Sequence, residues 1–144
     1  MKALLLPLQS LLTAVTIGLV KLVFGFLRLL GPERASDLGG ALTRLVGPWL
    51  PPHKTALANI RAAFPDMTDA EVKRIARGAW ENLGRTGAEY ANLHHLFDWD
   101  VDNPGAGRTS VEGIEYFEAL RDDGRPGLIF SAHLGNWELP AICA

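Results

Sequence analysis

The chain is poor in the groups that stabilise small extracellular folds and hold clustered metals. Cys143 is its one cysteine, which excludes an intrachain disulfide and any multi-cysteine metal site. A lone cysteine fits a reducing compartment. No sign of charge dominates: 14 Lys and Arg face 16 Asp and Glu, for a formal net charge of -2. That balance carries no electrostatic footprint for nucleic acid, which is not expected as a partner. Internal repeats and low-complexity tracts are missing too. Neither a cofactor nor a metal is assigned from the residues. A length of 144 residues is that of one modest domain.

The first region also lacks something, namely charge. From Ala3 to Val20 the residues ALLLPLQSLLTAVTIGLV contain no ionisable side chain, and after Lys21 the apolar run continues as LVFGFLRLL to Leu30. About 20 apolar residues suffice to cross a bilayer. Pro7, Gln9 and Ser10 weaken the first third, while Lys21 can snorkel to the interface. An interfacial helix is the alternative, because Lys21 and Arg28 share a face. A cleaved leader fits less well, since no small-x-small site ends the block. Residues 1–30 are therefore read as a membrane-anchor helix and 31–144 as the N-terminal part of a catalytic domain. Lys21, Arg28, Arg34 and Arg44 follow the apolar block against Lys2 before it, which places the remainder in the cytoplasm.

Helical patterning then takes over. Gly31-Pro32 ends the first block, and Leu38, Ala41, Leu42, Leu45, Val46 and Trp49 recur at helical spacing up to Gly47-Pro48. Leu57, Ile60, Ala63 and Phe64 line a short helix that Pro65 terminates. Thr68-x-x-Glu71 is a capping box opening a long amphipathic helix at roughly 69–93. Within it Gly84 and Gly87 either permit close packing or mark a bend. His94, His95, Asp98, Asp100 and Asp102, with Phe97 and Trp99, form a polar, aromatic connector, read as a solvated loop in preference to a metal site. Beyond the break at Asn103-Pro-Gly, residues 109–112 are expected as a short strand, 113–120 as a helix, 122–127 as a turn and 128–130 as an apolar strand. Strand–helix–strand is the unit of a parallel sheet. The expected class is therefore α/β: a membrane-associated helix, a helical region, then the start of a mostly parallel sheet. Two strands do not make a buried sheet. Together with the stop at Ala144, this leads us to expect the N-terminal part of a longer or truncated protein.

Chemistry concentrates in Gly127–Leu139, GLIFSAHLGNWEL. His133 and Glu138 are separated by four residues, a weak pattern that His95 and Asp100 repeat elsewhere. Context separates the two pairs. An expected strand precedes His133, and reactive groups in α/β sheets collect beyond strand C-termini. Asn136 suits a helix N-cap, so a helix is expected to start near Trp137. On one continuous helix residues five apart lie about 140° from each other. The two side chains meet only if His133 lies in the turn and Glu138 on the first helical turn. A neutral imidazole there would deprotonate an attacking alcohol, while the carboxylate fixes its tautomer. Equally, His133 reads as a buried, satisfied histidine and Glu138 as an acid on the helix dipole. Spacing and context leave both readings open.

The stretch HLGNWEL after GLIFSA resembles the His-x4-acid block of bacterial lipid A biosynthesis acyltransferases, the late lauroyl/myristoyl transferase branch of the lysophospholipid acyltransferases. Upstream, Arg61-Ala-Ala-Phe64-Pro65, Glu71, Trp80-Glu-Asn-Leu-Gly84-Arg85, Glu89 and Val111-Glu-Gly113 match as well. The resemblance implies a glycerol-3-phosphate acyltransferase-like fold and an inner-membrane enzyme whose active site faces the cytoplasm. It implies transfer of a fatty acyl chain from acyl carrier protein to a hydroxyl of a lipid A precursor. His133 would be the general base and Glu138 its partner. Two other readings stay open: the same chemistry on another glycolipid, such as a phosphatidylinositol mannoside, and a non-catalytic membrane-anchored fragment.

Overall fold

The computed structural model describes residues 2–100, 102–132, 134–137 and 139, with the side chains of residues 2–8 excluded. The chain forms two compact units, Met1–Asn92 and Leu93–Ala144.

The first unit is helical. Helix α1 (Lys2–Leu30) is apolar along its length and contains a Gln9–Leu30 span of 22 residues with mean hydropathy 2.0, none of it buried. At 1.5 Å per residue the span is about 33 Å long, matching a hydrocarbon core of about 30 Å. Residues 9–23 are all exposed; only Phe24, Leu27 and Leu30 are partly covered. These three recur at helical spacing and dock the last two turns. Arg28 Nε donates to Ala91 O at 3.0 Å and Asn92 Nδ2 to Leu27 O at 3.3 Å, tying the helix end to its own unit.

Helix α2 (Pro32–Val46) starts with Pro at N1, where the missing N–H costs nothing. It is followed by a 3₁₀ turn at Gly47–Trp49. Helix α3 (Pro52–Ala63) stops one residue before Phe64-Pro65. Helix α4 (Asp69–Glu89) opens on the expected capping box: the Thr68 side chain accepts from the Glu71 N–H, and Glu71 Oε2 accepts from the Thr68 N–H at 2.8 Å. Its last turn tightens into a 3₁₀ segment at Tyr90–Asn92.

Helices α2 and α4 run antiparallel and in very close contact. Gly84 is buried, and a Cβ there would overlap Thr43 Oγ1 and the backbone of Gly39. Close packing is thus the role of Gly84, whereas the space around Gly87 is open. Thr43 Oγ1 donates to Trp80 O at 2.7 Å, and Ser36 Oγ to Glu89 Oε1 at 2.7 Å. Arg85 pairs with Asp37 at 2.6 Å and Glu81 at 3.2 Å, and Arg44 with Glu81 at 2.7 Å. The apolar core is correspondingly small: Ala35, Val72, Ala76, Ala88 and Ala91 are buried.

The second unit holds a single helical turn, α5 (Leu93–Leu96), and helix α6 (Ile114–Asp122). Here the expected α/β class is corrected. No strand is present among the described residues, and the start of a parallel sheet is not formed. Residues 109–112 and 128–130, expected as strands, are irregular. A strand exists only through ladder hydrogen bonds to a neighbour, and neither segment has one. Leu128 and Phe130 stand 83% and 90% exposed, so their apolar character alone did not bury them. The structure is helical with irregular connections.

Candidate functional site

His133 and Glu138 lie outside the described residues. Around them, the Leu134 N–H donates to Ala132 O at 2.8 Å, and the Leu139 N–H to Asn136 O at 3.2 Å. Gly135 has φ +58, a left-handed conformation that costs glycine nothing. Gly135 and Asn136 therefore form a bend, Trp137 a turn, and Leu139 is helical.

Leu139 lines an open groove of about 530 Å³ in the second unit. Phe97, Trp99, Val111, Ile114 and Phe117 supply most of its apolar wall, and Glu112, Glu118 and Arg121 its charged rim. Arg121 is committed to Asp122, with Nε to Oδ1 at 2.7 Å. The groove wall is held by Asp98. Its carboxylate accepts from the Arg108 N–H at 2.7 Å and the Thr109 N–H at 3.1 Å, while Thr109 Oγ1 donates to Leu96 O at 3.0 Å. Desolvation pushes the Asp98 pKa up, but the backbone donors of Thr109 and Arg108 outweigh it and hold the carboxyl below its ordinary value. Gly107 is required beside it, since a Cβ would run into the Asp98 carbonyl and carboxylate. An apolar trough with a charged lip accepts an amphipathic ligand: hydrocarbon inside, polar atoms at the rim.

Phe97 and Trp99 belong to the connector read as polar and aromatic, but no local pattern brings it against Val111, Ile114 and Phe117, so the groove itself is not legible in the sequence. The repeated pair, His95 and Asp100, has local partners. His95 sits on α5 with its ring tilted 42° to that of His94, centroids 4.0 Å apart, and the Asp100 carboxylate accepts from the Asp102 N–H at 2.9 Å. Among the described residues no group of three or more His, Cys, Asp or Glu gathers to hold a metal ion.

A second groove, of about 290 Å³, lies in the first unit and is basic, lined by Arg44, Lys73, Arg74 and Arg77 beside Ala70. The upstream blocks that matched in sequence have visible work in that unit. Trp80 Nε1 donates to His53 Nδ1 at 3.2 Å, Arg61 pairs with Asp69 at 2.8 Å, and Glu81, Gly84, Arg85 and Glu89 join α4 to α2. They build the scaffold.

A family model described as bacterial lipid A biosynthesis acyltransferase matches residues 6–143. No curated protein and no solved structure matches the chain.

Proposed function

This chain belongs to the bacterial lipid A biosynthesis acyltransferase family, and we propose that it moves a fatty acyl chain from acyl carrier protein to a hydroxyl of a lipid A precursor at the inner membrane. The reading rests on the His133-x4-Glu138 block lying inside the matched region. His133 takes the proton of the acceptor hydroxyl as its oxygen attacks the thioester carbonyl. A C–O bond forms, the C–S bond breaks, and the imidazolium returns the proton to the departing thiolate. Glu138 holds the other ring nitrogen and stabilises the imidazolium. No covalent acyl-enzyme is needed.

Two features support the setting. The exposed apolar span of α1 suits an enzyme whose acceptor resides in a bilayer, with the catalytic part on the cytoplasmic side. The groove that Leu139 lines is chemically suited to a hydrocarbon chain. The reading is tested by supplying membranes containing the protein with acyl carrier protein bearing a labelled acyl chain, alongside lipid A precursor and phosphatidylinositol mannoside. Label is expected on the lipid A precursor. Transfer to the mannoside alone, or to neither acceptor, contradicts the assignment.

A further inference from the structure

Helix α2 exposes charged residues in its first turns, Glu33, Arg34 and Asp37, but is inside out for a water-facing helix in its last two. Its buried side presents Ser36, Gly39, Gly40 and Thr43 to α4, so the small and polar residues point inward. Its outer side presents Leu42, Leu45 and Val46, at 53%, 64% and 42% exposure. An amphipathic helix in water does the opposite. The apolar outer face runs into the 3₁₀ turn, where Trp49 is 79% exposed, followed by Leu50 between Trp49 and Pro51.

We propose that this outer face of α2, with the Trp49-Leu50 corner, is a second membrane contact that lies in the headgroup boundary of the bilayer α1 enters. Three observations favour lipid over another occupant. The face belongs to the same unit as α1, and α2 begins two residues after α1 ends. That first helix leaves residues 9–23 uncovered and Leu29 at 88% exposure, so exposed apolar side chains stand on both helices of the unit. Trp at a polar–apolar boundary is a typical interfacial anchor, and Arg34 at the start of α2 is an exposed cation suited to anionic headgroups. Contact along α2 would lay the α2–α4 pair against the membrane surface and keep the rest of the enzyme near its lipid acceptor. The proposal rests on the membrane reading of α1.

Spin labels decide it. In a C143A background, single cysteines replace Val15 on α1, Leu42 and Leu45 on α2, and the exposed Ala79 on α4. The whole protein is placed in vesicles of phosphatidylethanolamine and phosphatidylglycerol. Collisions with oxygen, which enters lipid, are compared with those of a water-soluble nickel chelate. Oxygen is expected to dominate at 15, 42 and 45, and the chelate at 79. Oxygen at 15 with the chelate at 42 and 45 overturns the α2 contact and leaves α1 in the membrane. Low access of both probes at 42 and 45 means protein covers the face, which also overturns it. Chelate dominance at 15 overturns the membrane reading of α1 itself.

Discussion

At the scale of single residues, the two glycines of α4 make opposite predictions. Gly84→Ala forces a methyl into Thr43 and the Gly39 backbone, which has no flexible end to give way. Overpacking of this kind costs about 1–3 kcal/mol, partly offset by the roughly 1 kcal/mol gained in helix propensity, so a net loss of up to about 2 kcal/mol is expected. Gly87→Ala meets nothing and keeps only the propensity gain. Thermal melts of the two variants in detergent should move in opposite directions. The sequence admitted both packing and bending at these positions, because a glycine's neighbour across a helix pair is a tertiary fact. His133 and Glu138 pose the complementary case. Their proposed chemistry rests on residue types, the turn residues and the flanks, since the spacing alone is shared with His95 and Asp100. As orienting partner, Glu138 predicts a smaller loss of transfer in Glu138→Ala than in His133→Ala. Assays of both variants showing an equal or greater loss for Glu138→Ala would assign the carboxylate a direct part.

At the scale of elements, helices were readable and strands were not. The capping box at Thr68, the break at Gly31-Pro32 and the stop before Pro65 are local signals, and the helices start or end where they stand. Residues 128–130 were read as a strand from apolar character, but a strand needs a partner that no local pattern supplies. The α2–α4 pairing adds a pH prediction. The guanidinium of Arg85, then that of Arg44, holds the Glu81 carboxyl below its ordinary value of 4.5. A depressed carboxyl contributes stability that is fully present above the unfolded value and lost as pH falls through the folded one. Helicity of the first unit should therefore weaken below about pH 4.5, and Glu81→Gln should flatten that part of the circular dichroism titration. An unchanged acid limb in Glu81→Gln would remove Glu81 from the account. The effect is a screened surface one and should shrink in high salt.

At the scale of the molecule, the first unit joins an uncovered apolar helix to a helical scaffold, and the second carries a largely apolar groove that Leu139 lines. Family membership makes the chemistry acyl transfer. The central claim is that His133 is the base, and a general base contributes about 100- to 10,000-fold to a rate. The direct measurement is the initial rate of acyl transfer from acyl carrier protein to lipid A precursor in membranes carrying the His133→Ala variant. The His95→Ala variant and equal membrane content of each protein serve as controls. A loss of about 100-fold or more for His133→Ala, with His95→Ala near the unaltered rate, is the predicted result. Near-normal turnover by His133→Ala would contradict it.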